Sequence, residues 1–335
     1  MSDFLGKFKN FGKKTVNLGD QELKENLEKD LSVSVCDNSC ESSSCDSDGE
    51  VIWPQFKKLD LDSPLYNSSK PSTIQFLIPT NKDNWKHDAV NDEFEQGSVP
   101  RELNLLLKDF EDKGKFGINV VDQPIGDNIF DKDIIKYRKL EKMYIVPFFI
   151  TLNNVWVNEL EDMLDIMIPA LLNTEGIHTR AELINKLNGL FEKLSCSASP
   201  LDLNNLLLLC SHKNRDKKCG ISAPIMKKEI FKQIETFNTE HEEKAVGKTD
   251  VWFTNHVGGH KFQANLQIYL NFKNDDNENS PESAENGNLF IWLARVAPKD
   301  CKEIVKDLLV KKGDKKSDRK LLLAEKVRCG KRFTW

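Results

Sequence analysis

The stretch NLLLLCSHKNRDKKCGISAP, residues 205–224, decides how this chain is read. Leu206, Leu207, Leu208 and Leu209 make a short apolar run that reads as a strand. A charged loop follows, bounded by Cys210 and Cys219 with eight residues between them. Residues 223–237 then carry apolar side chains at helical spacing. Strand, loop and helix in this order open an α/β layer, and two thiols stand at the hand-over. The pair poses three choices: a disulfide, a nucleophile, or half of a metal site.

Working outward, strand and helix patterns interleave along most of the chain. Upstream, residues 73–79, 116–121 and 142–150 read as strands, and 102–110, 157–172 and 180–194 as helices. Small residues and a proline at 195–200 read as a connector. Downstream, 250–254, 266–270 and 289–296 read as strands, and 299–310 as a helix after Pro298. The polar segment 273–286 reads as a solvated hairpin insertion. The expected fold class is α/β with three parts. A disordered acidic, Ser-rich tail covers 1–70, an N-terminal α/β domain 71–198, and a C-terminal domain with β-α-β-β-β-α order, like a small thioredoxin-type sandwich, 199–335.

Composition narrows the function classes. The 335 residues are 39% hydrophobic with a net charge of −5 and no broad basic stripe, so nucleic acid is not an expected partner. No apolar run approaches the roughly 20 residues of a membrane-spanning helix. Eight cysteines are too sparse for a disulfide scaffold, and no secretory signal is evident. A reducing compartment, cytoplasmic and also nuclear, is the expectation, which weakens the disulfide choice. At the N-terminus Phe4, Leu5, Phe8 and Phe11 recur at helical spacing among lysines. The absence of arginine and the presence of Asp3 speak against an import signal, so this segment reads as a partly ordered tail. Cys36, Cys40 and Cys45 lie close together with no fourth ligand nearby, and their role stays open.

Partners for the first cysteine pair stand at NHVGGHK, residues 255–261. His256 and His260 flank Gly258 and Gly259, which allow a tight turn that aims both imidazoles to one side. No glutamate lies between the histidines, so the helical zinc-protease pattern does not apply. Loops leaving strands at one sheet edge converge, and four ligands can meet there. Zinc accepts two cysteines and two histidines, but eight intervening residues exceed the usual finger spacing. A longer loop can wrap a two-iron cluster instead. On the residues alone, zinc and iron–sulfur both stand.

The strings CSHKNRDKKCGISAP (210–224), NHVGGHKFQANLQIYL (255–270), FIWLARVAP (290–298) and EKVRCGKRFTW (325–335) are similar to the sucrase/ferredoxin-like family of thioredoxin-like ferredoxins. Weaker likeness runs through PLYNSSK (64–70) and IVPFFI (145–150). The resemblance implies a C-terminal thioredoxin-like ferredoxin domain holding one [2Fe–2S] cluster on Cys210, Cys219, His256 and His260. Many thioredoxin-like ferredoxins have a second Cys-x3-Cys pair where the two histidines stand. Two neutral imidazoles in place of thiolates imply a raised, pH-dependent potential. The implied role is one-electron transfer with a redox partner protein, a reductase or an acceptor, linked to actin patch organisation and redox or stress tolerance. A mitochondrial branch of the family makes that compartment an alternative. Competing readings are a zinc- or cluster-stabilised interaction protein without turnover, and a thiol oxidoreductase using Cys210 and Cys219 directly. The latter lacks the tight Cys-x-x-Cys geometry.

Around the ligands, Arg215, Lys217, Lys218 and Lys261 are expected to make a basic edge for an acidic redox partner. His212 reads as a neighbour of the site, Cys329 as an ordinary strand thiol, and Cys196 and Cys301 as packing residues. The N-terminal half reads as a degenerate thioredoxin-like partner. Trp335 is a candidate anchor for the cytosolic iron–sulfur assembly machinery, although Thr334 departs from the residue preferred before it.

Overall fold

The computed structural model describes residues 21–31, 34–35, 54, 56, 59–125, 137–240, 246–271, 287–310, 320–321 and 323–333. Ten strands form one sheet. In chain order they are β1 (Ile74–Pro79), β2 (Phe116–Val121), β3 (Lys139–Val146), β4 (Ile150–Trp156), β5 (Ser197–Pro200), β6 (Asn205–Cys210), β7 (Thr249–Thr254), β8 (Leu266–Leu270), β9 (Asn288–Leu293) and β10 (Val327–Phe333). The principal helices are α1 (Gln21–Leu31), α2 (Val99–Leu106), α3 (Leu160–Leu172), α4 (Arg180–Leu190) and α5 (Lys217–Glu240). Among the described residues no helix is long and apolar enough to cross a membrane.

The sheet is one five-strand plan used twice. In the first half β1 pairs in parallel with β2 and antiparallel with β3, and β3, β4 and β5 continue antiparallel. In the second half β6 pairs in parallel with β7 and antiparallel with β8, and β8, β9 and β10 continue antiparallel. The halves meet where β2 and β7 run antiparallel through Val121 and Thr254. The seam has a local two-fold character. Asp122 N–H donates to Phe253 O and Asn255 N–H to Val120 O. The Asp122 carboxylate accepts from Phe253 N–H at 3.0 Å, and the Asn255 amide oxygen accepts from Val120 N–H at 3.0 Å. Each strand end is thus capped by the first side chain beyond the other.

Alternation explains the layering. Leu207 and Leu209 pack with Ala223, Met226 and Ile230 of α5, while Leu206 and Leu208 turn to the other face. There they join Leu77, Val121, Tyr144, Val146 and Phe149 of the first half and Trp252, Tyr269, Phe290 and Trp292 of the second. The Asn288 side-chain amide also donates to the carbonyl of Pro147, across the two halves. The sheet therefore curls at its seam and closes over a shared core. Burying each large apolar side chain contributes about 1.5–3 kcal/mol, so β6, buried at every position, anchors both faces at once.

Several expectations change. Residues 142–150 are not one strand but the β3–β4 hairpin, which turns at Pro147, Phe148 and Phe149. Proline offers no ladder N–H, and Phe149 sits at φ 53°. The connector at 195–200 contains an edge strand, because Ser197–Pro200 pairs with β4 and completes the first half. Within the expected tail, α1 buries Leu23, Leu27 and Leu31 in the second-half core. Leu65 packs on Phe262 and Ala294. The segment read as a helix at 299–310 is a 3-10 turn, a short α turn and a π turn in succession. Residues 4–11, Cys36, Cys40, Cys45, 273–286 and Trp335 lie outside the described residues.

Candidate metal centre

Cys210 is the last residue of β6, and Thr254, its register partner, is the last of β7. The carboxyl ends of these parallel strands share one edge, where loops from different strands converge. Asp216 ends the first loop as a helix cap. Its carboxylate accepts the Lys218 N–H at 2.9 Å, and α5 begins at Lys217. The helix thus starts six residues earlier than its apolar periodicity suggested. Cys219 is not on a loop but in the first helical turn, where the positive end of the helix dipole favours a thiolate.

Cys210, Cys219 and His256 each present a ligand atom, and these atoms all lie within 4.8 Å of one another. Cys210 Sγ is 3.9 Å from His256 Nδ1. Both cysteines are buried, at 2% and 0% exposure, and neither is in a disulfide. His256, Val257, Gly258 and Gly259 are only partly buried, so the histidine side is the open side. The hydrogen bond from Cys219 holds the Cys210 thiol well below its ordinary range, and His256 reinforces this. Sharing that proton, then burial, pushes Cys219 up. The two thiols thus share one proton, and a metal cation bound between them would displace it. His260 opens a 3-10 turn, His260–Phe262, and its side chain lies outside the described residues.

The second loop is fixed from behind. Gly258 and Gly259 adopt φ +93° and +73°, where a side chain is strained. A Cβ on Gly259 would also sit 2.4 Å from Arg328 Nη1. Arg328 Nη1 donates to Gly258 O at 3.2 Å and to Asn265 Oδ1 at 3.1 Å. Asn265 Nδ2 returns a bond to Gly259 O at 3.0 Å, while its own carbonyl accepts the Cys210 N–H at 3.3 Å.

His212 is a tie, and its geometry shows why it is not a ligand in this arrangement. The His256 N–H donates to His212 Nδ1 at 3.2 Å, which requires that nitrogen to be unprotonated. The proton is then on Nε2, which points to the carbonyls of Trp85 at 3.0 Å and Lys86 at 2.8 Å. Burial lowers the His212 pKa and keeps the ring neutral. One side chain therefore binds the cysteine loop, the histidine loop and the first half of the molecule. Ser211 Oγ donates to Asp83 O at 2.6 Å, and Asn214 Nδ2 to Trp85 O at 2.7 Å. Residues 83–87 follow β1 just as the cysteine loop follows β6. By register Pro79 stands where Cys210 stands, so the first half offers a cover and no thiol at that place.

The expected basic edge is reduced. Lys218 pairs with Asp216 at 3.0 Å, Lys261 pairs with Asp60 at 2.7 Å, and Arg215 Nη1 lies 2.7 Å from His87 Nε2. Asp60, Ser63 and Ser68 form a strap that sequence reasoning assigned to the tail. Asp60 N–H donates to Lys261 O, and Arg295 donates to Asp60 O and Ser63 O. The string PLYNSSK, which already carried family likeness, was the signal for it. Cys196 and Cys301 are core thiols, and burial pushes both up, Cys196 to about 11. Cys329 is a buried strand thiol, likewise pushed up by burial, to about 12.

Comparison with known proteins follows the same outline. The model of the sucrase/ferredoxin-like family matches residues 65–329, so it takes in both halves of the sheet and not only a C-terminal domain. Actin patches distal protein 1 of Saccharomyces cerevisiae is 30% identical over 329 residues, 92% of each chain. Altered inheritance of mitochondria protein 32 of Candida glabrata is 31% identical over 102 residues, 30% of this chain and 28% of that protein. The protein of that name from Meyerozyma guilliermondii is 30% identical over 110 residues, 33% of this chain and 31% of that one. No solved structure matches.

Proposed function

This chain belongs to the sucrase/ferredoxin-like family, and on that premise we propose that Cys210, Cys219, His256 and His260 hold a [2Fe–2S] cluster and that the protein carries single electrons. The observation that carries the reading is the meeting of two buried thiols and an imidazole at one strand edge, beside a helix N-terminus. Sulfur and nitrogen donors in this set suit iron–sulfur chemistry, and the bound group would supply a one-electron couple. The cysteines bind as thiolates, which the helix end and the shared proton favour. The histidines bind as neutral rings, each keeping a second nitrogen that can hold a proton. Fewer negative ligands would raise the potential above that of an all-cysteine ferredoxin, and protonation of the second ring nitrogens would make it fall as pH rises. A bound group would be approached from the histidine side, since the thiols are covered.

The role is electron transfer with a protein reductase or acceptor, not conversion of a small substrate. Within this proposal the protein acts in the cytoplasm, in actin patch organisation with redox or stress tolerance, and the likeness to an actin patches distal protein supports that reading. Loading through the cytosolic iron–sulfur machinery at Trp335 belongs to the same proposal. A second reading, a zinc-stabilised interaction protein, is favoured by one distance. A Cys210–His256 separation of 3.9 Å suits two ligands of one tetrahedral ion. Iron, zinc and acid-labile sulfide per purified chain discriminate: iron and sulfide in equal amounts support the cluster, and one zinc supports the alternative.

A further inference from the structure

Arg328 is 4% exposed, and every hydrogen-bond acceptor its guanidinium reaches is neutral: Ser68 Oγ and O, Gly258 O and Asn265 Oδ1. No carboxylate pairs with it among the described residues. Its other neighbours are aromatic faces, Trp292 with the guanidinium carbon 4.3 Å from the ring centre and Phe262 at 5.4 Å. A buried cation of this kind is costly unless a negative charge answers it. The surroundings add more positive charge. Lys261 and Arg295 flank the same Phe262 ring, and Asp60 is the carboxylate paired with those two.

What the guanidinium does hold is the backbone behind the candidate metal centre. It grips the carbonyl of Gly258, two residues past His256, and the amide of Asn265, whose backbone carbonyl takes the Cys210 N–H. We propose that Arg328 is the buried counter-charge of the redox centre, holding the histidine loop and stabilising the state that carries the added electron. The inference rests on the cluster reading. With two thiolates and two neutral imidazoles, adding one electron leaves the ligated centre more negative by one charge, and a fixed cation nearby lowers the energy of that state. Arginine suits the place because its planar fork serves the loop carbonyl and the Asn265 amide together.

The test compares full-length wild-type protein with R328K and R328Q by iron and sulfide content, visible spectrum and redox titration. R328Q, which keeps hydrogen-bonding capacity and loses the charge, is expected to make reduction at least tenfold less favourable, a fall of 59 mV or more for one electron. R328K, which keeps the charge, is expected to stay near wild type. A purely structural role would move the two variants together. A loaded R328Q with wild-type potential overturns the proposal while leaving the cluster reading intact. If R328Q does not load, R328K decides: a potential near wild type supports the counter-charge, and a fall of 59 mV or more overturns it. A wild-type protein without iron overturns the cluster reading, and this inference with it.

Discussion

Replacing His212 by alanine tests whether this ring ties the two halves of the molecule or ligates the centre. The side chain is 1% exposed and makes three interactions that alanine cannot. Its Nε2–H is shared between the Trp85 and Lys86 carbonyls, worth about 1 kcal/mol net. Its Nδ1 accepts the His256 N–H, and leaving that donor and the two carbonyls unmatched costs roughly 1–2 kcal/mol. The edge contact with Trp85, at 5.8 Å between ring centres, contributes about 1 kcal/mol more. The expected loss is about 3–4 kcal/mol, which in a chain of this size lowers the melting temperature by roughly 4–6 °C. H212N places an amide oxygen near the position of Nδ1 and is expected to recover part of the loss, because the His256 N–H regains its acceptor. Scanning calorimetry of the metal-free proteins reads the effect, and iron analysis of the loaded proteins reads ligation. An unchanged melting temperature in H212A refutes the tie. Loss of metal without loss of stability would make His212 a ligand, against the tautomer argued here.

Other consequences are smaller and separable. G259A is expected to cost roughly 2–3 kcal/mol and G258A about 1–2 kcal/mol, because both force a side chain into left-handed backbone but only the Gly259 methyl meets the Arg328 guanidinium; thermal melts that rank them the other way would contradict the packing. Lys261, through its hydrogen bond, and Ser63 hold the Asp60 carboxyl well below the ordinary range. The folded state therefore binds fewer protons there than the unfolded chain. The strap's contribution is complete above about pH 4 and declines as pH falls further. D60N should flatten that part of an acid titration, and hydrogen exchange at 60–68 should rise in wild type over the same interval; an identical acid slope in both proteins would dismiss the strap. C219S and C210S should each abolish cofactor retention while leaving a folded chain, since both thiols sit at the ends of a strand and a helix that pack through their own apolar side chains; metal content equal to wild type in either variant would remove that cysteine from the site.

How far the sequence carried depends on the kind of signal. The runs at 116–121 and 266–270 were legible to the residue, because a short apolar run between turn residues has few other folded uses. The hairpin of β3 and β4 was not, since KMYIVPFFI is apolar throughout and hides its turn behind Pro147. Cys219 was placed on a loop because the first turn of α5 is lysine-rich and buries only Cys219 itself, and periodicity needs a buried stripe to be seen. The repetition of the sheet plan surfaced only as the reading of the N-terminal half as a degenerate thioredoxin-like partner, and its strand order was not legible. It lives in register and strand direction, and the matched positions, such as Pro79 and Cys210, carry unlike residues. Of the site, Cys210, Cys219 and His256 were legible from residue type and spacing. What holds them was not: Arg328 lies more than 70 residues from His256, and Trp85 more than 120 from His212. Such neighbours become visible only once the strands are paired.

A two-iron, two-sulfide group on Cys210, Cys219, His256 and His260 would have a direct chemical signature. Iron, sulfide and zinc should be measured on full-length protein purified without added metal, together with its visible absorption before and after reduction. The expected result is a coloured protein with iron and acid-labile sulfide at about two each per chain, bleaching on one-electron reduction. A colourless protein with about one zinc per chain and no sulfide would contradict it.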